Sequence, residues 1–374
     1  MTNPAPAEVG MPLEAVDTPA LLLDLVAFER NLGRLAATVA GTPVHLRPHA
    51  KTHKCPPIAL RQLAHGAVGV CCQKVSEAEA MISGGVPDVL VSNEIVGAVK
   101  VRRLAALARQ ARVAVCADEP GNVADLNEAA LAAGARLPVL VEMNVGADRC
   151  GVEPGEPAVA LARQIAGSPG LRFGGLQAYH GSAQHIREFG QRRAAIDAAV
   201  KKVRRTLDLL VRAGIPCDVV TGSGTGTYRF EADSGVFTEI QAGSYIFMDA
   251  DYTRDLAEDG GPYRDFEHSL FVYATVMSRP TKDRAVVDAG LKALSVDSGM
   301  PLVHAMPGVE YVRASDEHGT LLLRDPECRL RVGEKIRLTP GHCDPTVNLH
   351  DWYVCVRNDR VEALWPITAR GPGF

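Results

Sequence analysis

The stretch "DVLVSNEIVGAVKVRRLAALARQARVAVCAD", residues 88–118, decides the fold. A short apolar run, residues 89–91, leads into a segment whose apolar residues recur at three- and four-residue spacing: Val101, Leu104, Ala105 and Ala108. A second apolar run follows at residues 113–117. Continuous apolar runs of this kind read as parallel strands buried on both faces, and the spaced segment reads as an amphipathic helix.

The same grammar extends from about residue 19 to 250. "ALLLDL" precedes "AFERNLGRLAATVA", "PVHLRP" precedes "PPIALRQLAHG", and "VGVCC" precedes "SEAEAMISGG". Further on, "LPVLVEMN" precedes "EPAVALARQIAGS", and "LRFGGLQAY" precedes the long "QRRAAIDAAVKKVRRTLDLLVRAG". About eight such units predict an α/β chain with a (β/α)8 TIM-type barrel over residues 18–255, in preference to an open doubly wound sheet. Beyond that point the text turns to β-branched and aromatic runs, "LFVYATVMS", "KIRLTPG" and "WYVCVRN", broken by turn signals. Residues 256–374, with about 1–17, therefore read as a smaller, mostly-β domain.

A net charge of −4 offers no basic excess for nucleic acid or an anionic membrane. The nine cysteines are odd in number and lie mostly inside apolar runs without a CxxC pair. They read as core residues of a reducing compartment. With no signal-like N-terminus and no apolar run long enough to span a bilayer, the chain is expected to be cytoplasmic, its first ten residues loose.

Barrels gather functional groups where strands end. At such an end stands "RPHAKTHK", residues 47–54, which crowds Lys51 and Lys54 with Arg47, His49 and His53 although the chain has only nine lysines. A solvated cluster, an anion contact and a lysine held for chemistry all fit. With no acid nearby in sequence, the adjacent cations would favour a neutral amine at Lys51, the form that condenses with an aldehyde. Other strand ends supply Arg149, then Tyr179, His180 and His185, then Ser223 and Gly224 in "TGSGTGT", and Gln241, Gly243 and Ser244 in "EIQAGSY". The alternating glycines can cradle a phosphate or simply form a flexible turn. A lysine nucleophile, a phosphate cradle and an arginine at one mouth together suggest pyridoxal phosphate. Far away, "PGHCDPTVNLHD" places His342 and Asp344 two apart. In an extended segment they would share a face as a half-site for a divalent cation, or they form a polar turn.

Taken together, "TPALLLD", "RPHAKTHK", "GADRCGV", "AYHGSAQH", "TGSGTGT", "QAGSYIFMD" and "PGHCDPTVNLHD" resemble, in order and over nearly the whole chain, the D-threonine aldolase and D-serine dehydratase-like family. That family belongs to the alanine-racemase-type, fold type III, pyridoxal-phosphate enzymes. The resemblance implies a cofactor-bearing barrel, a metal-bearing β domain and a homodimer. Lys51 resembles the Schiff-base lysine, Arg149 the arginine near the phenolic oxygen, and Tyr179 a ring contact. Ser223, Gly224, Gly243 and Ser244 resemble the phosphate-binding positions. Gln241 stands where racemases place an arginine against the pyridine nitrogen, which argues against a plain racemase. His342-Cys343-Asp344 resembles the His-x-Asp of the aldolases and departs from the His-x-Cys of the dehydratases. The oxygen ligand suits Mn2+ or Mg2+ better than a thiolate does. The resemblance thus implies cleavage of a D-β-hydroxy-α-amino acid to glycine and an aldehyde, with His185 as base. The alternatives are a dehydratase acting on D-serine or D-3-hydroxyaspartate and a non-catalytic cofactor-binding protein.

Overall fold

The computed structural model describes residues 4–325 and 327–374. Strand β1 (Ala20–Asp24) runs into helix α1 (Leu25–Val39). Asp24 fixes the start of that helix, its carboxylate accepting from the N–H groups of Val26 and Ala27 at 2.9 and 3.1 Å. The chain then alternates: β2 (His45–Leu46), α2 (Pro56–Ala64), β3 (Val70–Cys72), α3 (Val75–Ser83), β4 (Asp88–Glu94), α4 (Ala98–Leu107). It continues through β5 (Arg112–Ala117), α5 (Pro120–Ala132), β6 (Leu137–Glu142), α6 (Glu156–Gly167), β7 (Leu171–Gln177) and α7 (Phe189–Arg212). β8 (Val220–Gly222), α8 (Tyr228–Ala232) and β9 (Glu239–Ile240) complete the series.

These eight strands from β2 onward are parallel and neighbour one another in the order β2-β9-β8-β7-β6-β5-β4-β3. The ring closes between β2 and β3. A parallel bridge joins His49 to Cys71, and the N–H groups of Val68 and Cys71 reach the carbonyls of Leu46 and Pro48 at 2.8 Å each. The barrel expected from the apolar rhythm is present. Its first strand, however, is not "ALLLDL". β1 pairs antiparallel with β10 (Leu270–Thr281) and parallel with β16 (Trp352–Arg357), in the second sheet. Both sheets bury both faces of their inner strands, so apolar continuity could not tell which sheet would take it. The eighth barrel strand is β9, from "EIQAGSY".

The second sheet has nine strands among the described residues. Besides β1, β10 and β16 it holds β11 (Arg284–Val287), β12 (Leu302–Val303), β13 (Val309–Ala314), β14 (Gly319–Leu323), β15 (Lys335–Thr339) and β17 (Arg360–Pro366). Residues of β13 and β14 alternate between buried and more exposed, as an antiparallel sheet with one wet face requires. A short helix, α9 (Cys343–Val347), separates β15 from β16. One core spans both units: Phe28, Leu32 and Leu35 of α1 pack with Leu46 and Ile240 of the barrel and with Leu270 and Leu338 of the sheet. That shared core fixes the barrel mouth against the loop before α9.

Residues 4–10 are not loose. Ala7 is buried and the Gly10 N–H bonds the Val361 carbonyl at 2.8 Å; residues 1–3 lie outside the described residues. All nine cysteines are free thiols. No described helix is long and apolar enough to cross a membrane.

Candidate active site

β2 ends at Leu46, and a single 3-10 turn, Ala50–Thr52, carries Lys51 to the mouth formed by the strand ends. There a pocket of about 560 Å³, its open mouth included, is lined by Lys51, Arg149, Tyr179 and Gln241 and by the loop residues Ser223, Gly224, Gly243 and Ser244. Eight of the residues singled out from the sequence therefore surround one space. The sequence reading passed over Gln73, Ser92, Gln177, Thr225 and Tyr252, which line it too. Gln177 ends β7, Ser92 lies in β4 and Gln73 follows β3 directly. Polar residues at the ends of apolar runs were the signal that could have found them.

The surroundings of Lys51 differ from those expected. Its Nζ lies 2.5 Å from Asp344 Oδ2. Burial opposes its charge, but the Asp344 carboxylate outweighs burial and raises the pKa, so the amine is held as ammonium. The acid-free neighbourhood read from the sequence is an artefact of chain distance: the partner comes from 293 residues away. His49 is the group kept neutral. Burial, and then the Lys51 ammonium, push its imidazole down to about 3. Its ring contacts Gln73 Oε1 at 3.2 Å and Ser92 Oγ at 3.1 Å. Lys54 turns away to a buried pair with Glu77 at 2.8 Å, which makes it scaffold.

The residues fit a phosphate-bearing pyridine. Ser223 adopts φ +79°, the left-handed conformation of a tight cradle, and a Cβ on Gly224 would meet the Gln184 side chain at 2.4 Å. The Thr225 hydroxyl, 1 % exposed, has no hydrogen-bond partner among the described residues, as a phosphate-binding hydroxyl would in a ligand-free chain. Gln241 forms a reciprocal amide pair with Gln177, at 3.0 and 2.8 Å, and also donates to Thr221 Oγ1 at 2.8 Å. The pocket wall thus carries a neutral amide network at that position. Arg149 stands 5.7 Å over the Tyr179 ring and 3.7 Å from Glu142. Burial, then the Glu94 carboxyl, raise Glu142 to about 8, so this buried acid holds a proton at neutral pH.

His342, Asp344 and His185 are not themselves among the residues that line the pocket, although Asp344 touches the lining residue Lys51. The extended segment expected for the first two is not what forms. His342 is extended, but it caps α9, and Asp344 already lies in the first helical turn. Asp344 faces Lys51, while His342 Nδ1 lies 2.8 Å from Asp297 Oδ2. An imidazole and a carboxylate are a fitting donor pair for a divalent cation completed by oxygens. They do not form a closed cage: the described residues bring three ligating side chains within 4.8 Å only at Glu94, Asp118 and Cys150. His185 Nδ1 lies 2.9 Å from Asp251 Oδ2, and that hydrogen bond, with burial opposing, raises its pKa.

The match to known proteins covers the whole chain. The family model described as alanine racemase, N-terminal domain, matches residues 23–251, and a serine dehydratase domain model matches residues 269–356. A D-threonine aldolase of Arthrobacter sp is 49 % identical, over 98 % of this chain and 96 % of its own. A 3-hydroxy-D-aspartate aldolase of Paracoccus denitrificans is 47 % identical, over 99 % and 96 %. The D-threo-3-hydroxyaspartate dehydratase of Delftia sp. is more distant, 27 % identical over 94 % and 97 %. The crystal structure of D-threonine aldolase from Filomicrobium marinum superposes with a TM-score of 0.96 at 52 % identity, covering all of both chains.

Proposed function

The chain belongs to the family of pyridoxal-phosphate enzymes built on the alanine-racemase barrel, alongside the D-threonine and 3-hydroxy-D-aspartate aldolases, and from that premise we propose that it is a metal-dependent aldolase. Its substrates are D-threonine and related D-β-hydroxy-α-amino acids, cleaved to glycine and an aldehyde. The observation that carries the proposal is the meeting of Lys51 with Asp344 at the barrel mouth, beside His342.

When bound, the cofactor supplies an electron sink for the α-carbon. A divalent cation, in this proposal Mn2+, supplies positive charge that lowers the pKa of the β-hydroxyl. Lys51 provides the amine that anchors the cofactor. Ser223, Gly224, Gly243 and Ser244 would hold its phosphate, Arg149 would serve its phenolic oxygen, Tyr179 its ring, and Gln241 would offer its nitrogen a neutral partner. His342 and Asp344 hold the cation. Charge balance supports this last assignment: with the Lys51 amine engaged elsewhere, Asp344 would be a buried carboxylate without its counter-ion, and a cation held together with His342 would supply one. His185 takes the β-hydroxyl proton. The Cα–Cβ bond breaks with its electron pair left on Cα, the β-carbon departs as an aldehyde, and Lys51 gives a proton to Cα, matching the one His185 has taken. The wider reading is a cytoplasmic homodimer, in keeping with the free thiols.

Product analysis tests the proposal. D-threonine with Mn2+ should give glycine and acetaldehyde in equal amounts. Formation of 2-oxobutanoate and ammonia instead would make the chain a dehydratase, and no product from any D-hydroxy amino acid would make it a binding protein.

A further inference from the structure

The turn Gly181–His185 is stapled on both sides. Gln184 accepts from the Gly226 N–H at 3.0 Å and donates to Thr227 Oγ1 at 2.9 Å, tying the turn to the glycine-rich loop. On the other side His185 meets Asp251, whose own N–H bonds the Gly341 carbonyl at 3.1 Å, next to His342. We propose that Asp251 is a positioning residue: it fixes His185 as the Nδ1–H tautomer, so that Nε2 carries the lone pair that accepts the substrate's proton. This rests on His185 being the base of the proposed aldolase.

Asp251 is built for that task. It is 5 % exposed, and both carboxylate oxygens are used, Oδ2 by His185 and Oδ1 by the Arg187 guanidinium. Arg187 is itself pinned, donating to the Asp251 carbonyl at 2.9 Å and to Asp255 Oδ1 at 2.7 Å. The hydrogen bonds from His185 and Arg187 overcome burial and hold Asp251 down to about 2, so it is ionised throughout the working range. An ionised carboxylate only accepts, so the nitrogen facing it must be the donor, and Nε2 of a neutral ring is left bare. His185 is 56 % exposed at its side chain, so the ring is not shut away by the fold. A purely structural Asp251 would serve Arg187, which Asp255 and a main-chain carbonyl already serve, and would leave the tautomer unset.

Nitrogen NMR of the holoenzyme carrying 15N-labelled histidine decides the point, with the His185 signals assigned by their absence from H185A. In the wild type, Nδ1 should give a protonated signal and Nε2 a bare one. D251N should mix the tautomers and lower kcat on D-threonine by roughly 10²-fold, the usual contribution of a positioned base, with KM little changed. A protonated Nε2 in the wild type, or an unchanged tautomer in D251N, overturns the proposal. The wild-type spectrum suffices should D251N fail to fold. An H185A enzyme that keeps its kcat overturns the assignment of the base itself, whichever tautomer is seen, so the two failures are told apart.

Discussion

The Lys51 ammonium and the Asp344 carboxylate lie 2.5 Å apart across the seam between barrel and sheet. The pair joins the two units at the point where the proposed chemistry occurs, and each partner sets the charge of the other. Burial opposes both charges, but Lys51 and then His342 hold the Asp344 carboxyl below the usual carboxylate range.

Removing the lysine should therefore have two effects. Lys51→Ala should abolish the visible absorbance of bound pyridoxal phosphate. It should also destabilise the apoprotein by about 1–2 kcal/mol, less than for a fully buried pair because Lys51 is 40 % exposed at its side chain. Adding Asp344→Asn to that variant should recover part of the loss. Absorption spectra and urea denaturation check both, and a chromophore that survives would mean that another lysine carries the cofactor.

Metal affinity separates the ligand from its support. Asp344→Ala should lose Mn2+ binding, followed as free-ion signal by electron paramagnetic resonance. Asp297→Ala should weaken it about 10–100-fold, because Asp297 holds His342 at Nδ1 and so orients the other ring nitrogen. Equal affinities in all three proteins would remove His342 and Asp344 from the metal site.

Much of this site could be read before the fold was seen. The strand-end rule found Lys51, Arg149, Ser223 and Gln241 because parallel strands deliver their ends to one mouth, whatever the intervening helices do. It failed where contact depends on the path of the chain. Nothing near Lys51 in sequence announces Asp344, and nothing in "ALLLDL" says that its partners will be β10 and β16 instead of barrel strands. Asp251 and Asp297 escaped for a related reason. An acidic residue in a polar loop is ordinary until the histidine it faces is known.

Glu142 should give the enzyme a pH-dependent stability. Its pKa rises from 4.5 to about 8, owing to burial and then Glu94, so the folded state binds a proton that the unfolded chain releases earlier. The sign follows directly. The contribution is fully present below about pH 4.5 and is lost as pH rises through 8. Glu142→Gln keeps the neutral shape and should flatten that alkaline decline in urea midpoints measured between about pH 5 and pH 9. An unchanged profile would mean that Glu142 is ionised in the fold.

Gln241 tests whether the neutral wall of the pocket is structural as well as chemical. Its amide satisfies both ends of Gln177 and the Thr221 hydroxyl, and Thr221 in turn donates to Glu239 at 2.8 Å. Glu239 pairs with Arg47 at 2.9 Å, and Arg47 with Asp88, so the network runs from the pocket to the end of the barrel where β4 begins. Gln241→Ala strips partners from two buried groups at once and should cost about 2–6 kcal/mol, taking 1–3 kcal/mol for each unsatisfied polar group. The loss should appear in the apoprotein, before any cofactor is added, because the pairing needs none. Gln241→Glu keeps the size but replaces a donor with an acceptor facing Gln177 Oε1 and Thr221. It should also be destabilising above the pKa of the new acid and regain stability as the buffer is acidified. If urea denaturation shows the alanine variant as stable as the wild type, the amide pair does not hold the wall, and Gln241 matters only to the cofactor's ring nitrogen.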